Sequence, residues 1–185
     1  MLKEKKGMKI MKKFQKKLAN RKKDNKGFSL VELIIVIAIM AILVGIVGTQ
    51  VLPYINKSKE AKDFQIINSF GTAATTAYSS NAEKITTVKD FTIYTAPTDA
   101  DELDVYNDIL DLTGYKDLTT LRGKMGSKNG KKISKVVIQI NPTDSNSTTG
   151  LKAAAKTIVT QAYYTEGSGS GATENKLFDQ VVTQL

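Results

Sequence analysis

The sequence predicts an α+β protein: a long N-terminal α-helix, half membrane-like and half amphipathic, packed on a small antiparallel β-sheet head. Three observations predict it. Leu33–Val51 is a run of 19 residues without a charge, long enough to cross a hydrocarbon core of ~30 Å at about 1.5 Å per residue. After Pro53 a helical pattern resumes, with apolar or small residues at spacings of three and four as far as Tyr78. Beyond Asn81 the chain changes to short Thr-, Val- and Ile-rich runs separated by Gly, Pro and Asn. The 185 residues therefore divide into a basic segment 1–27, an apolar helix 28–52, an amphipathic helix 53–80 and a head 81–185.

The basic segment accounts for the whole charge of the protein. The net charge is +9, which by itself invites a nucleic-acid partner. Residues 1–27 hold 12 Lys and Arg against Glu4 and Asp24. The rest holds 15 basic residues (27 less 12) and 16 acidic ones (18 less 2), a net of −1. No nucleic-acid partner is expected of a body with that balance. Positive charge flanking an apolar helix stays in the cytoplasm, so residues 1–27 are expected inside the cell and 54–185 outside. Secretory signals place their cleavage site after the apolar core. A cut after Gly27 would precede the core, which would then stay in the mature chain. Met1, Met8 and Met11 are all possible starts.

The apolar helix carries one anomaly. Glu32 lies at its beginning, and a charge at membrane depth costs roughly 2.5–3.5 kcal/mol on insertion scales. One reading gives the carboxylate a partner, most cheaply a new amine released by cutting the chain after Gly27. The other leaves it in the head-group zone, favoured by the helix dipole. Gly45, Gly48 and Pro53 make the second half of the helix its weak section. Glycine costs about 1 kcal/mol and proline about 3 kcal/mol in a helix interior, and Pro53 has no N–H for the carbonyl of Thr49.

In the amphipathic helix, Ala61, Phe64, Ile67, Gly71, Ala74 and Tyr78 form a small-residue face suited to lying on a sheet. Lys57, Lys59, Lys62 and Asp63 fall off that stripe, and Glu60 sits at its edge. In the head, a strand is expected at 85–94 and a helix from Pro97 to Gly114. Asp99 and Glu102 are spaced as a capping box, with Leu103, Tyr106, Ile109, Leu110 and Leu112 on the buried face. Ile133–Ile140 reads as the clearest strand, followed by a loop at 141–150 and a further strand at 156–165. Gly167–Gly171 reads as a loop, and 176–185 as a short helix in preference to a strand.

Residue types exclude several chemistries. The chain has no Cys and no His, which removes thiol catalysis, thiolate and imidazole metal sites, and Ser-His-Asp catalysis. Asp99, Asp101, Glu102, Asp104, Asp108 and Asp111 raise the question of calcium. An EF-hand loop counted from Asp99 needs Gly at its sixth position and Glu at its twelfth, and finds Asp104 and Leu110. These acids read as a helix N-terminus favoured by the dipole. Asn146-Ser147-Thr148 matches a glycosylation triplet but reads first as loop. Tyr163-Tyr164 reads as a strand pair with one ring buried. No enzyme, cofactor or metal is expected.

Residues 26–52 resemble the N-terminus of a type IV prepilin: Lys26-Gly27, then Phe28-Ser29-Leu30-Val31-Glu32-Leu33, then the apolar run. The resemblance spans 27 of 185 residues. It implies that a prepilin peptidase cuts after Gly27 and methylates the amine of Phe28. It also implies that Glu32 pairs with that amine on a neighbouring subunit, and that the section around Gly45, Gly48 and Pro53 can unwind when subunits pack. Pilins usually place the proline about one helical turn earlier. The function expected is that of a major pilin. It starts as a single-pass subunit in the cytoplasmic membrane with its head outside, meets the inner-membrane pilus assembly platform, and polymerises as a homo-oligomer into a helical, adhesive surface pilus. The lack of Cys and the long leader fit a Gram-positive pilin. The alternative is a pseudopilin of a type II secretion-like or competence DNA-uptake machine. A bitopic anchored binding or signalling domain is the competing reading from a different class.

Overall fold

The computed structural model describes residues 27–167 and 169–185. The basic leader, with the arm expected in the cytoplasm, lies outside the described residues except for Gly27. The chain falls into two units, Met1–Thr49 and Gln50–Leu185. Helix α1, Leu30–Ser80, contributes to both and is helical throughout, Pro53 included. From residue 27 to residue 62 every residue is exposed.

The second unit is built on a five-stranded antiparallel sheet. Its strands are β1 (Lys89–Thr92), β2 (Ile133–Asn141), β3 (Thr157–Glu166), β4 (Thr173–Lys176) and β5 (Val181–Gln184), in the order β1-β2-β3-β4, with β5 also pairing β3. Phe91, Ile138, Thr160 and Val181 are aligned across four strands. Alternation puts them on one face, and that face receives α1. Gly71 of α1 approaches so closely that a Cβ there would lie 3.3 Å from both the Thr183 hydroxyl and the Val181 side chain. Ile67, Phe70, Ala74 and Ala77 complete the buried side of the helix. Of the expected face, Ile67, Gly71 and Ala74 are buried and Phe64 and Tyr78 half-buried, whereas Ala61 is exposed.

The opposite face of β2 has a different task. Gln139 and Asn141 are fully buried under the loop 142–156. The Gln139 amide donates to Asp90 at 2.7 Å and to the Thr149 carbonyl at 3.0 Å, and its oxygen accepts from Ala153 N–H at 2.6 Å. The Asn141 amide donates to the carbonyls of Ser145, Ala153 and Ala154. A loop folded over a sheet must find partners for its backbone polar groups, and these two amides supply them.

Between β1 and β2 lie α2 (Ala100–Thr113) and α3 (Leu118–Lys124). Asp99 caps α2 by accepting from the N–H groups of Asp101 and Glu102, and Gly114 closes it in the left-handed region at φ 72°. The capping box is only half made. The Glu102 carboxylate turns instead to the Lys89 ammonium on β1. Helix α3 was not expected. Asp117 caps it, accepting from both the N–H and the hydroxyl of Thr120.

Four expectations are corrected. The strand expected over 85–94 is confined to Lys89–Thr92; Ile93 N–H still donates to Val136, but Tyr94 adopts φ 73° and ends the pairing. On α2, Leu103 and Leu112 are exposed, and Val105 joins Tyr106 and Ile109 in the core. The stripe is centred on 105 and 109, one turn apart, which turns 103 away from it, whereas Leu112 shares their face but stands exposed in the last turn of the helix. The C-terminal segment is strand, not helix. The ten-residue β3 leaves one edge open, and the β-branched run Val181-Val182-Thr183 meets it at Thr160, Val159 and Ile158. Asp63, expected off the buried stripe, is fully buried.

Asp63 is buried because it clamps a loop. One carboxylate oxygen accepts from Gly126 N–H at 2.7 Å and the other from Ser127 N–H at 2.9 Å. The Ser127 hydroxyl then accepts from Gly130 N–H at 2.9 Å. A Cβ at Gly130 would collide with the Asp63 carboxylate and crowd the Ser127 hydroxyl. Hydrogen bonds to a charged group contribute roughly 1.5–3 kcal/mol each.

Two outcomes test this packing, both read by urea titration of the full chain in mild detergent. Ile109→Ala is expected to destabilise the head by about 2–5 kcal/mol, and Leu112→Ala to change it by less than about 0.5 kcal/mol. Equal effects would refute the assignment of the α2 stripe. Asp63→Ala orphans two N–H groups and is expected to cost about 3 kcal/mol, with Asp63→Asn retaining part of that because its amide oxygen still accepts. A loss below about 1 kcal/mol for the alanine variant would show that the clamp does not hold the loop.

Candidate functional site: the start of the apolar helix

The expected cleavage point lies just before α1. Gly27, Phe28 and Ser29 are outside any helix or strand and exposed, Phe28 at 88%. A Cβ at Gly27 would meet nothing within 4 Å. The peptide bond between Gly27 and Phe28 is therefore open to an enzyme, two residues ahead of the first helical residue, Leu30.

Glu32 occupies the first turn, where its charge is favoured by the helix dipole. Its carboxylate accepts from Ser29 N–H at 2.8 Å, and Ser29 Oγ accepts from Val31 N–H at 3.3 Å. This is a capping box: Ser29 caps the helix, and Glu32 at the third helical position reaches back to the backbone of the cap. An external amine and the helix dipole are the two partners expected for Glu32; the partner observed is this local backbone N–H. The signal was present as Ser-x-x-Glu ahead of an apolar run.

Gly45, Gly48 and Pro53 lie within the continuous helix, with nothing within 4 Å of a Cβ at either glycine. The Thr49 hydroxyl donates back to the carbonyls of Ile46 at 3.0 Å and Gly45 at 3.3 Å. α1 is long and apolar enough to cross a membrane by length and composition.

The other candidates are dispersed. Among the acids of the 99–111 segment, Asp99 caps α2 and Asp101 is exposed, while Glu102 pairs with Lys89, Asp104 with Lys84 and Asp111 with Lys116. Asp108 accepts from the Asn81 amide at 2.9 Å. Among the described residues no group of three or more carboxylates is placed to hold a metal ion. The Asp104 and Glu102 carboxylates hold the ammonium groups of Lys84 and Lys89 above their ordinary range. The Thr120 hydroxyl and amide hold Asp117 below its own. Burial pushes the Tyr94 hydroxyl far up. Asn146 accepts from Ala155 N–H through its side-chain oxygen. Tyr163 and Tyr164 are both half-buried, with the Lys135 ammonium 4.9 Å from the Tyr163 ring centroid, so the expected burial of one ring is not seen.

No curated protein and no solved structure matches the chain. Residues 22–48 match the model of the prokaryotic N-terminal methylation motif. That match covers the open Gly27–Phe28 bond, the capping box and most of the apolar run. It implies processing by a prepilin peptidase, and the segment is similar to the N-terminus of a type IV prepilin.

Proposed function

We propose that the protein is the structural subunit, the major pilin, of a type IV pilus. A prepilin peptidase removes residues 1–27 and methylates the new N-terminal amine of Phe28. The subunit waits in the cytoplasmic membrane on its apolar helix with the head outside, meets the assembly platform there, and then enters a helical homo-oligomer. The observation that carries this reading is the methylation motif at residues 22–48, set on a helix able to span a bilayer with a single carboxylate in its first turn.

The assembly step follows from the chemistry of that turn. Cleavage creates a positive amine at Phe28, four residues before Glu32. In a bundle of such helices, the Glu32 carboxylate of one subunit pairs with the amine of the next. The pair neutralises two charges that apolar surroundings penalise separately, and it registers the subunits axially. Packing also bends or unwinds the section holding Gly45, Gly48 and Pro53, where the ladder lacks the Pro53 donor. The near-neutral head 81–185 forms the outer surface and the adhesive contacts.

Mass spectrometry of filaments sheared from the native cells is expected to show N-terminal methyl-Phe28. Processed chain confined to the membrane fraction would favour a pseudopilin, and an intact leader would overturn the reading. Gly27→Ala is expected to leave full-length chain in the membrane. Glu32→Ala is expected to be processed normally yet to lower the fibre yield at least tenfold; a wild-type yield would refute the pairing.

A further inference from the structure

The charge of the head is segregated by position. Residues 81–117 carry nine acids against three bases, and residues 118–143 carry six bases and no acid. The two groups meet α1 at different heights. The basic stretch reaches the helix through Gly126 and Ser127, which donate to Asp63. The acidic stretch reaches its end, where the Asn81 amide donates to both Ala77 and Asp108. Residues 63 and 80 of one helix are about 25 Å apart along its axis.

Each end carries surplus charge. At the end near Asp63, Lys124, Lys128, Lys131 and Lys132 are exposed, and none forms an ion pair among the described residues. Glu60 shares a shallow cleft with Lys128, and Lys57, Lys59 and Lys62 on α1 are exposed beside it. At the other end Glu83, Asp101 and Asp104 are exposed, and among the described residues only Asp104 has an ion-pair partner, the Lys84 ammonium. Leu103, also exposed, lies on α2 between the two aspartates.

We infer that the heads dock on one another end to end, the lysines 124, 128, 131 and 132 of one copy against Glu83, Asp101 and Asp104 of the next. The occupant is a second copy of this chain because the complementary patch is on the chain itself. Two unlike patches at opposite ends make a heterologous contact, which repeats head to tail and builds an open helix wherever the rotation does not close a ring. Complementary patches of this kind steer encounter and fix register more than they add affinity, and exposed ion pairs such as Lys84–Asp104 exchange partners at little cost. The inference rests on the filament reading above and adds the contact between heads.

The test is a charge swap in the full chain in native cells, read as sheared fibre. Lys124→Glu with Lys128→Glu and Lys131→Glu is one variant; Glu83→Lys with Asp101→Lys and Asp104→Lys is the second; all six changes together are the third. Each triple variant is expected to be processed normally and to lose at least tenfold in fibre. The sixfold variant is expected to return to within threefold of wild type. Wild-type yields from either triple variant would overturn the proposal, as would failure of the sixfold variant to recover while its thermal midpoint in detergent stays at the wild-type value. Loss confined to the lysine variant would assign those lysines to another partner, such as anionic lipid, and would also overturn it. If the wild-type chain itself yields no fibre, it is the filament reading that fails.

Discussion

The uncovered apolar face of α1 is the constraint on which everything else depends. Ile34, Ile35, Val36, Ile37, Ile39 and Leu43 are each more than half exposed. Removing one such side chain from water is worth about 1.5–3 kcal/mol, so the run as a whole rivals the ~5–15 kcal/mol that holds a typical domain together. Water is therefore not its solvent. Lipid tails and other apolar helices are nearly equivalent surroundings for such residues, and moving the run from one to the other costs little. Glu32 is the group for which the two differ. The filament reading gives that difference a use, since a carboxylate expensive in lipid gains an amine in the bundle.

The head obeys a separate constraint. Only from Asp63 onward does α1 bury side chains, and the first it buries is a charge. That is tolerable because both carboxylate oxygens hold backbone N–H groups. The clamp joins α1 to the loop after α3, far away in sequence, and so fixes where the small-residue face must begin. The sheet continues the seating at Gly71. A head with no disulfide depends on such contacts and on the stitching of its long loop by Gln139 and Asn141.

Regular periodicity made most of this legible. The apolar run, the small-residue stripe, β2, β3 and the cap at Asp99 all follow from local patterns. What was misread depended on tertiary partners. Asp63 looks like a solvent residue until a loop 63 residues away supplies its donors. The segment 176–185 has no strong local preference, and the open edge of β3 decides it. Leu103 and Leu112 fit a helical pattern, but the core takes Val105, Tyr106 and Ile109. In the candidate site the motif alone singles out Gly27, Phe28 and Glu32, and the Ser29–Glu32 cap is legible in the same residues as Ser-x-x-Glu ahead of an apolar run.

That cap bears on the pairing proposed for Glu32. A carboxylate offers about four acceptor positions, and Ser29 N–H uses one. The bond fixes the side chain against the start of its own helix, so the free oxygen is presented at a defined height instead of sampling many rotamers. An amine arriving from a neighbouring helix then meets a preoriented acceptor and loses less freedom in pairing. The local bond neutralises no charge, so it leaves the demand for a cation intact. In the proposed filament, cap and intersubunit pair are thus successive uses of one carboxylate: the first positions it, and the second would compensate its charge.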